Sequence, residues 1–149
     1  MTSGRQNQLT KQTGEYLVCA ELCRRGYIAT SFTGNVPDYD VIAVDTNNRA
    51  IQIQVKTINI GTWQLNAKNY LDIKITEDKR QLIKKKDCPN KELIFIFVKL
   101  NDQGNDEFYI IKLKDLQEII FSGYKFYLDS HNGKRPKNPS STHTGINRE

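Results

Sequence analysis

Four polar residues, Glu15, Asp40, Gln54 and Lys56, stand where the hydrolysis of a phosphodiester could be organised. That chemistry needs oxygen ligands for a hard divalent cation and a positive group beside the attacking water and the phosphate. Asp40 opens an apolar segment, Val41-Ile42-Ala43-Val44, and alternation puts it on the face of Ile42 and Val44. One hairpin later, Gln54 and Lys56 flank Val55. Two residues along a strand span roughly 6.6 Å, so one metal-centred site can engage both. Taken alone, the polar set Gln52, Gln54 and Lys56 also reads as the solvated face of an antiparallel hairpin.

Glu15 adds weight to the first reading. On a helix it stacks with Cys19 and Leu22, at i+4 and i+7, and so continues an apolar stripe. A carboxylate on a core-facing stripe is costly unless it is paired or metal-bound. The plainer alternative places it in a first helical turn, where acids are favoured by the dipole.

The elements that must position these residues follow from periodicity. Residues 10–25 have the apolar density of a helix, and Gly26 follows where a left-handed cap ends one. Strands are expected over 27–32, 38–44 and 50–57. The turn compositions Thr33-Gly34-Asn35-Val36-Pro37 and Asp45-Thr46-Asn47-Asn48 separate them. In the third strand Ile51, Ile53 and Val55 alternate with Gln52, Gln54 and Lys56. After an irregular stretch holding Gly61, Trp63 and Tyr70, Thr76 is expected to open a second helix. Its Glu77 and Asp78 at one end and Lys84, Lys85 and Lys86 at the other would complement the dipole. The apolar run over 93–100 suits a strand buried on both faces, with a partner over 107–113. Leu113, Leu116, Ile119 and Ile120 then recur at helical spacing up to Gly123. The expected architecture is α/β, a mixed central sheet flanked by helices in the order α-β-β-β-α-β-β-α. It comprises one domain over 1–128 and a basic surface tail over 129–149.

Composition narrows the class. The chain has 149 residues, 38% hydrophobic and 26% charged, which suits one soluble domain with a single core. No apolar run approaches the roughly 20 residues of a membrane helix. Residues 1–11 are polar with no apolar signal core, so a cytoplasmic location is expected. Three cysteines leave an odd one, which argues against a disulfide framework. Cys19 and Cys23 read as small core residues, and Cys88 is distant with no histidine paired to it. A net charge of +5 is compatible with a polyanionic partner without requiring one.

A glutamate on the first helix, an aspartate opening the second strand and a polar-x-Lys closing the third occur here in order, over roughly residues 10–100. This arrangement resembles the PD-(D/E)XK nuclease superfamily. Its restriction-endonuclease-like core is a helix, a three-stranded meander, a second helix and a further strand. The motif is short, and the ordered context carries the likeness. The resemblance implies that Asp40 is the metal-binding aspartate. The literal Pro-Asp pair is Pro37-Asp38, so Asp38 is its rival; Asp40 is preferred because it adjoins the strand's apolar body. Lys56 matches the lysine that orients or activates the attacking water and offsets phosphate charge, and Glu15 matches the helix glutamate. Gln54 stands where Asp or Glu is usual. Its amide oxygen can ligate a hard cation without adding charge, so one cation held by Glu15, Asp40 and Gln54 is favoured over two.

The implied activity is a Mg²⁺-dependent DNA endonuclease of restriction, homing or junction-resolving type, with Mn²⁺ able to substitute. A homodimer or larger homo-oligomer is expected, because duplex cleavage takes two sites. DNA contacts are expected at Lys84, Lys85 and Lys86, at the basic segment Lys134, Arg135 and Lys137, and at Trp63, which could stack at a base step or pack over the sheet edge. Two other readings stand beside this one. One is a nucleic-acid-binding module with the same fold and no turnover, which Gln54 keeps open. The other is an unrelated metal-free α/β protein.

Overall fold

A computed structural model describes residues 3–34 and 36–148, so Met1, Thr2, Asn35 of the first expected turn, and Glu149 lie outside the described residues. The elements run α1 (Gly4–Arg24), β1 (Ile28–Ser31), β2 (Val41–Val44), β3 (Ala50–Ile58), β4 (Trp63–Asn66), a 3-10 turn (Ala67–Asn69), β5 (Leu71–Ile75), β6 (Gln81–Lys85), β7 (Ile94–Lys99), a second 3-10 turn (Asp102–Gly104), β8 (Glu107–Lys112), α2 (Leu113–Ser130) and β9 (His143–Ile146). They gather into two compact units. One is the chain up to Trp63 together with Glu92–Lys112; the other is Gln64–Lys91 together with the chain from Leu113 onward. Among the described residues no helix is long and apolar enough to cross a membrane.

The first unit is a mixed sheet under one helix. Its five strands lie in the order β1-β2-β3-β7-β8. The β1–β2, β2–β3 and β7–β8 pairs are antiparallel, while β3 and β7 run parallel with Gln54 beside Phe95 and Lys56 beside Phe97. Val18 of α1 packs with Val41, Ala43, Ile53, Val55, Ile96 and Val98 in one buried cluster. The odd-numbered residues of β3 therefore meet the helix, and the even-numbered ones project from the opposite face. Phe95 and Phe97 are buried as well, so β7 is covered on both faces, as its unbroken apolar run predicts.

The helix begins six residues earlier than periodicity suggests, because Ser3 caps it: its hydroxyl accepts the Gln6 N–H at 3.2 Å. It ends as expected, with Gly26 at φ +91° and its N–H on the Cys23 carbonyl. Cys19 is half-buried, but Cys23 is exposed and not the core residue expected, since it falls off the face that Val18 defines.

The second unit departs most from expectation. No helix starts at Thr76; β5 and β6 form an antiparallel hairpin with Ile73 opposite Ile83. The acids and lysines that mimic a dipole pattern flank a tight turn instead. Lys79 sits there at φ +65°, and Asp78 is held by the Thr76 hydroxyl and by Arg80. α2 passes straight through Gly123, burying Leu116, Ile120, Tyr124 and Leu128, while Ile119 is exposed. Residues beyond 130, expected as a surface tail, are tied into this unit. Gln81 donates to the carbonyls of Pro139 and Ser141 at 2.8 and 3.0 Å, and β9 pairs with β4.

Candidate functional site

The first unit brings Glu15 and Asp40 together. Each side chain is 16% exposed, and one ammonium lies between them: Lys11 Nζ is 3.8 Å from Glu15 Oε1 and 3.7 Å from Asp40 Oδ1. The helix reaches this position because of Gly14. A β-carbon there would sit 1.8 Å from Thr57 Oγ1, so α1 approaches β3 more closely than any side chain permits. Asn59 Nδ2 adds a bond to Thr10 Oγ1 at 2.8 Å, fastening the end of β3 to the same stretch of helix.

Asp40 owes its orientation to the end of a ladder. The regular β2–β3 pairing stops at Val41 opposite Ile53, which leaves the Val55 N–H without a strand partner on that side. The Asp40 carboxylate accepts it at 2.9 Å through Oδ2, while the Asp40 N–H donates to the Ile53 carbonyl, also at 2.9 Å. One carboxylate oxygen thus replaces a missing strand residue, and the other faces Lys11. Asp38, the alternative acid, is exposed in the preceding turn at φ +76°.

Electrostatics bind the set. Burial pushes the Glu15 carboxyl upward and the Asp40 charge pushes it further, with Lys11 offsetting part of the rise. Burial draws the Lys56 ammonium downward; the Asp40 charge opposes that shift and the Lys11 charge adds to it. Lys56 therefore lies within the electrostatic reach of both groups. Gln54 projects from the same face of β3 as Lys56 and, among the described residues, no hydrogen bond joins its amide to the cluster.

A cleft of about 330 Å³ opens over the acids, lined by Lys11, Gln12, Glu15, Phe32, Tyr39 and Asp40. Phe32 and Tyr39 meet edge to face at 5.5 Å and form its apolar wall. Lys11 is the member that sequence reasoning missed. Its signal was present, since it precedes Glu15 by one helical turn.

The donor chemistry suits one hard cation. Two carboxylates, of which Glu15 is destabilised by burial and by the Asp40 charge, already share a cation in the form of the Lys11 ammonium. Among the described residues no group of three or more His, Cys, Asp or Glu side chains could hold a metal ion, so any ion here would rely on two carboxylates and neutral oxygens.

The expected nucleic-acid contacts fare unevenly. Trp63 is buried, donating its indole N–H to the carbonyls of Lys56 at 3.0 Å and Val98 at 3.2 Å and packing edge-on to Phe97 and Tyr109. It offers no face to a base, because the indole is the polar handle of a core aromatic cluster. Lys85 pairs with Glu118, and Lys86 donates to the Lys68 carbonyl at 3.2 Å. Arg135 lies over the rings of Tyr124 and Tyr127 and donates to Ser141 and to the His143 carbonyl. These three are held within their own unit. Lys84, Lys134 and Lys137 are exposed.

Comparison with protein families and with curated proteins finds no match. Among solved structures, that of a bacterial homing endonuclease is similar at 8% sequence identity and a TM-score of 0.49, over 95% of this chain and 78% of that one. The likeness is distant, and no function follows from it.

Proposed function

We propose that the chain is a metal-dependent DNA endonuclease with one catalytic cluster per subunit. The observation that carries this reading is the meeting of two half-buried carboxylates, Glu15 and Asp40, at one cleft, with a partly buried Lys56 on β3 that feels the Asp40 charge. Two partly buried acids sharing one exposed cation are expensive to assemble and are expected where chemistry needs them. Glu15 and Asp40 would hold Mg²⁺, or Mn²⁺ in its place, with the Gln54 amide oxygen as a neutral candidate ligand. When bound, the ion would supply Lewis acidity at a phosphodiester oxygen or a bound water. Lys56 would offset charge developing on the phosphate. Lys84, Lys134 and Lys137 are the cations available to the DNA backbone. Cutting both strands takes two such clusters, so a homodimer or larger homo-oligomer belongs to this reading.

The test is incubation of the full chain with supercoiled plasmid and Mg²⁺, with and without chelator. Nicked and linear products that vanish with chelator are expected. A second reading, a nucleic-acid-binding module without turnover, is favoured by Gln54 in place of an acid and by the absence of a three-acid cluster among the described residues. Plasmid that is retarded but uncut across Mg²⁺ and Mn²⁺ would select it.

A further inference from the structure

We infer that Lys11 is the resident counter-cation of the acidic pair and that a divalent ion must displace it to bind. The inference rests on the metal-dependent reading of the site. The ammonium is nearly equidistant from the two acids, at 3.8 Å from Glu15 Oε1 and 3.7 Å from Asp40 Oδ1. Among the described residues no other side chain or backbone group bonds the carboxylate oxygens that face Lys11; the Val55 N–H uses the other Asp40 oxygen. Lys11 differs from both partners in being 61% exposed. A lysine carries its charge on a flexible four-carbon stem, so leaving the acids costs this side chain little more than two long ion pairs. An exposed pair of that length is worth little on its own. The acids, held by the Gly14–Thr57 contact and by the Val55 N–H, stay in place when it leaves.

The cluster therefore has two states that share one pair of acids: closed on its own lysine, or open to an external cation. Metal affinity is set by the difference between them. Removing Lys11 removes the competitor and one positive charge, and both changes favour a divalent ion.

The experiment is calorimetric titration of the full chain with Mn²⁺ in the absence of DNA, on wild type, Lys11→Met, Lys11→Gln and Arg24→Met. Arg24→Met removes the same charge from the same helix thirteen residues away, about 20 Å at 1.5 Å per residue. Both Lys11 variants should bind Mn²⁺ more tightly, on the order of ten-fold, the scale of one charge acting on a divalent ion at ~4 Å in a solvated cleft. Arg24→Met should match wild type. Thermal midpoints in chelator report folding of each variant, and Lys11→Gln retains a donor between the acids if Lys11→Met does not fold. Equal or weaker binding in the folded Lys11 variants overturns the inference while leaving the metal site standing. An equal gain in Arg24→Met also overturns it, because the effect would then be bulk charge. No Mn²⁺ binding in any variant overturns the metal reading and this inference with it.

Discussion

The two units treat their polar interiors in opposite ways. In the second unit Gln81 and Gln117 are each only 4% exposed, yet both are bonded. Gln81 donates to two carbonyls and accepts the Tyr124 hydroxyl at 2.5 Å; Gln117 donates to the carbonyls of Tyr70 at 2.8 Å and Lys86 at 2.6 Å. These are neutral groups spent on fastening irregular backbone. In the first unit the polar groups are charged and share too few partners: two acids with one exposed lysine, and a partly buried Lys56. Among the described residues each unit leaves one buried side-chain atom without a hydrogen bond, the Thr57 hydroxyl in the first and Arg135 Nε in the second, so the difference between the units is one of charge. Neutral buried groups with bonded partners specify structure, whereas closely set charges of like sign are costly to keep together without a cation. That contrast is the ground on which the site is proposed in the first unit.

Substitutions can break or sharpen it. The largest effect is expected from Lys56→Ala, which should lower plasmid cleavage on the order of 10²–10³-fold with DNA retardation largely retained. A folded Lys56→Ala protein cutting at the wild-type rate would remove the core of the reading. Gly14→Ala forces a methyl against Thr57 and should cost about 1–3 kcal/mol in denaturant melts. Adding Thr57→Ala should recover part of that loss, and no recovery would mean that the helix clashes elsewhere. Gln81→Ala strands the Pro139 carbonyl and leaves the Ser141 carbonyl and the Tyr124 hydroxyl only each other, at a similar cost of about 1–3 kcal/mol. Cleavage below the melting range should be untouched, and loss of cleavage there would erase the division of labour between the units.

The smallest effect concerns pH. The carboxyl of Glu15 titrates above its ordinary value when folded, chiefly through burial. Its contribution to stability is therefore greatest below the unfolded value near 4.5 and falls as pH rises through the folded one. Glu15→Gln escapes that penalty, so its melting temperature relative to wild type should rise between pH 4 and pH 7. A difference that is flat with pH would show that Lys11 already neutralises the acid fully.

Much of the first unit was legible because its signals are local. The stripe through Val18, the alternation of β3 and the apolar run of β7 each need only one element to be read. The hairpin of β5 and β6 was not, because Glu77, Asp78 and the three lysines reproduce a helix's charge gradient by chance. The period-2 alternation of Leu71, Ile73 and Ile75 was the better guide. In the site, Asp40 was preferred over Asp38 for adjoining the strand, and its capping of Val55 gives that preference a cause. Lys11 escaped notice because a lysine in a polar helical turn looks solvated; only the fold brings Asp40 within 3.7 Å of it. Of the two readings of Trp63, packing is the one the structure shows; the sequence left both open because burial of a lone indole depends on partners, Phe97 and Tyr109, far along the chain.

The parallel pairing of β3 with β7 joins Lys56 to Phe97, and between them the chain builds β4, β5 and β6. During synthesis, every residue of the acidic cluster and its lysines has been made before β7 exists. Until β7 emerges, β3 presents an open edge of Ile53, Val55 and Ile58, the kind of surface that recruits other nascent strands. Closing it requires a loop of some forty residues, so this pairing is a slow, late event. The strand that bears Gln54 and Lys56 is thus the most aggregation-exposed part of the newborn chain, and yield on expression should be limited by how fast its second neighbour arrives.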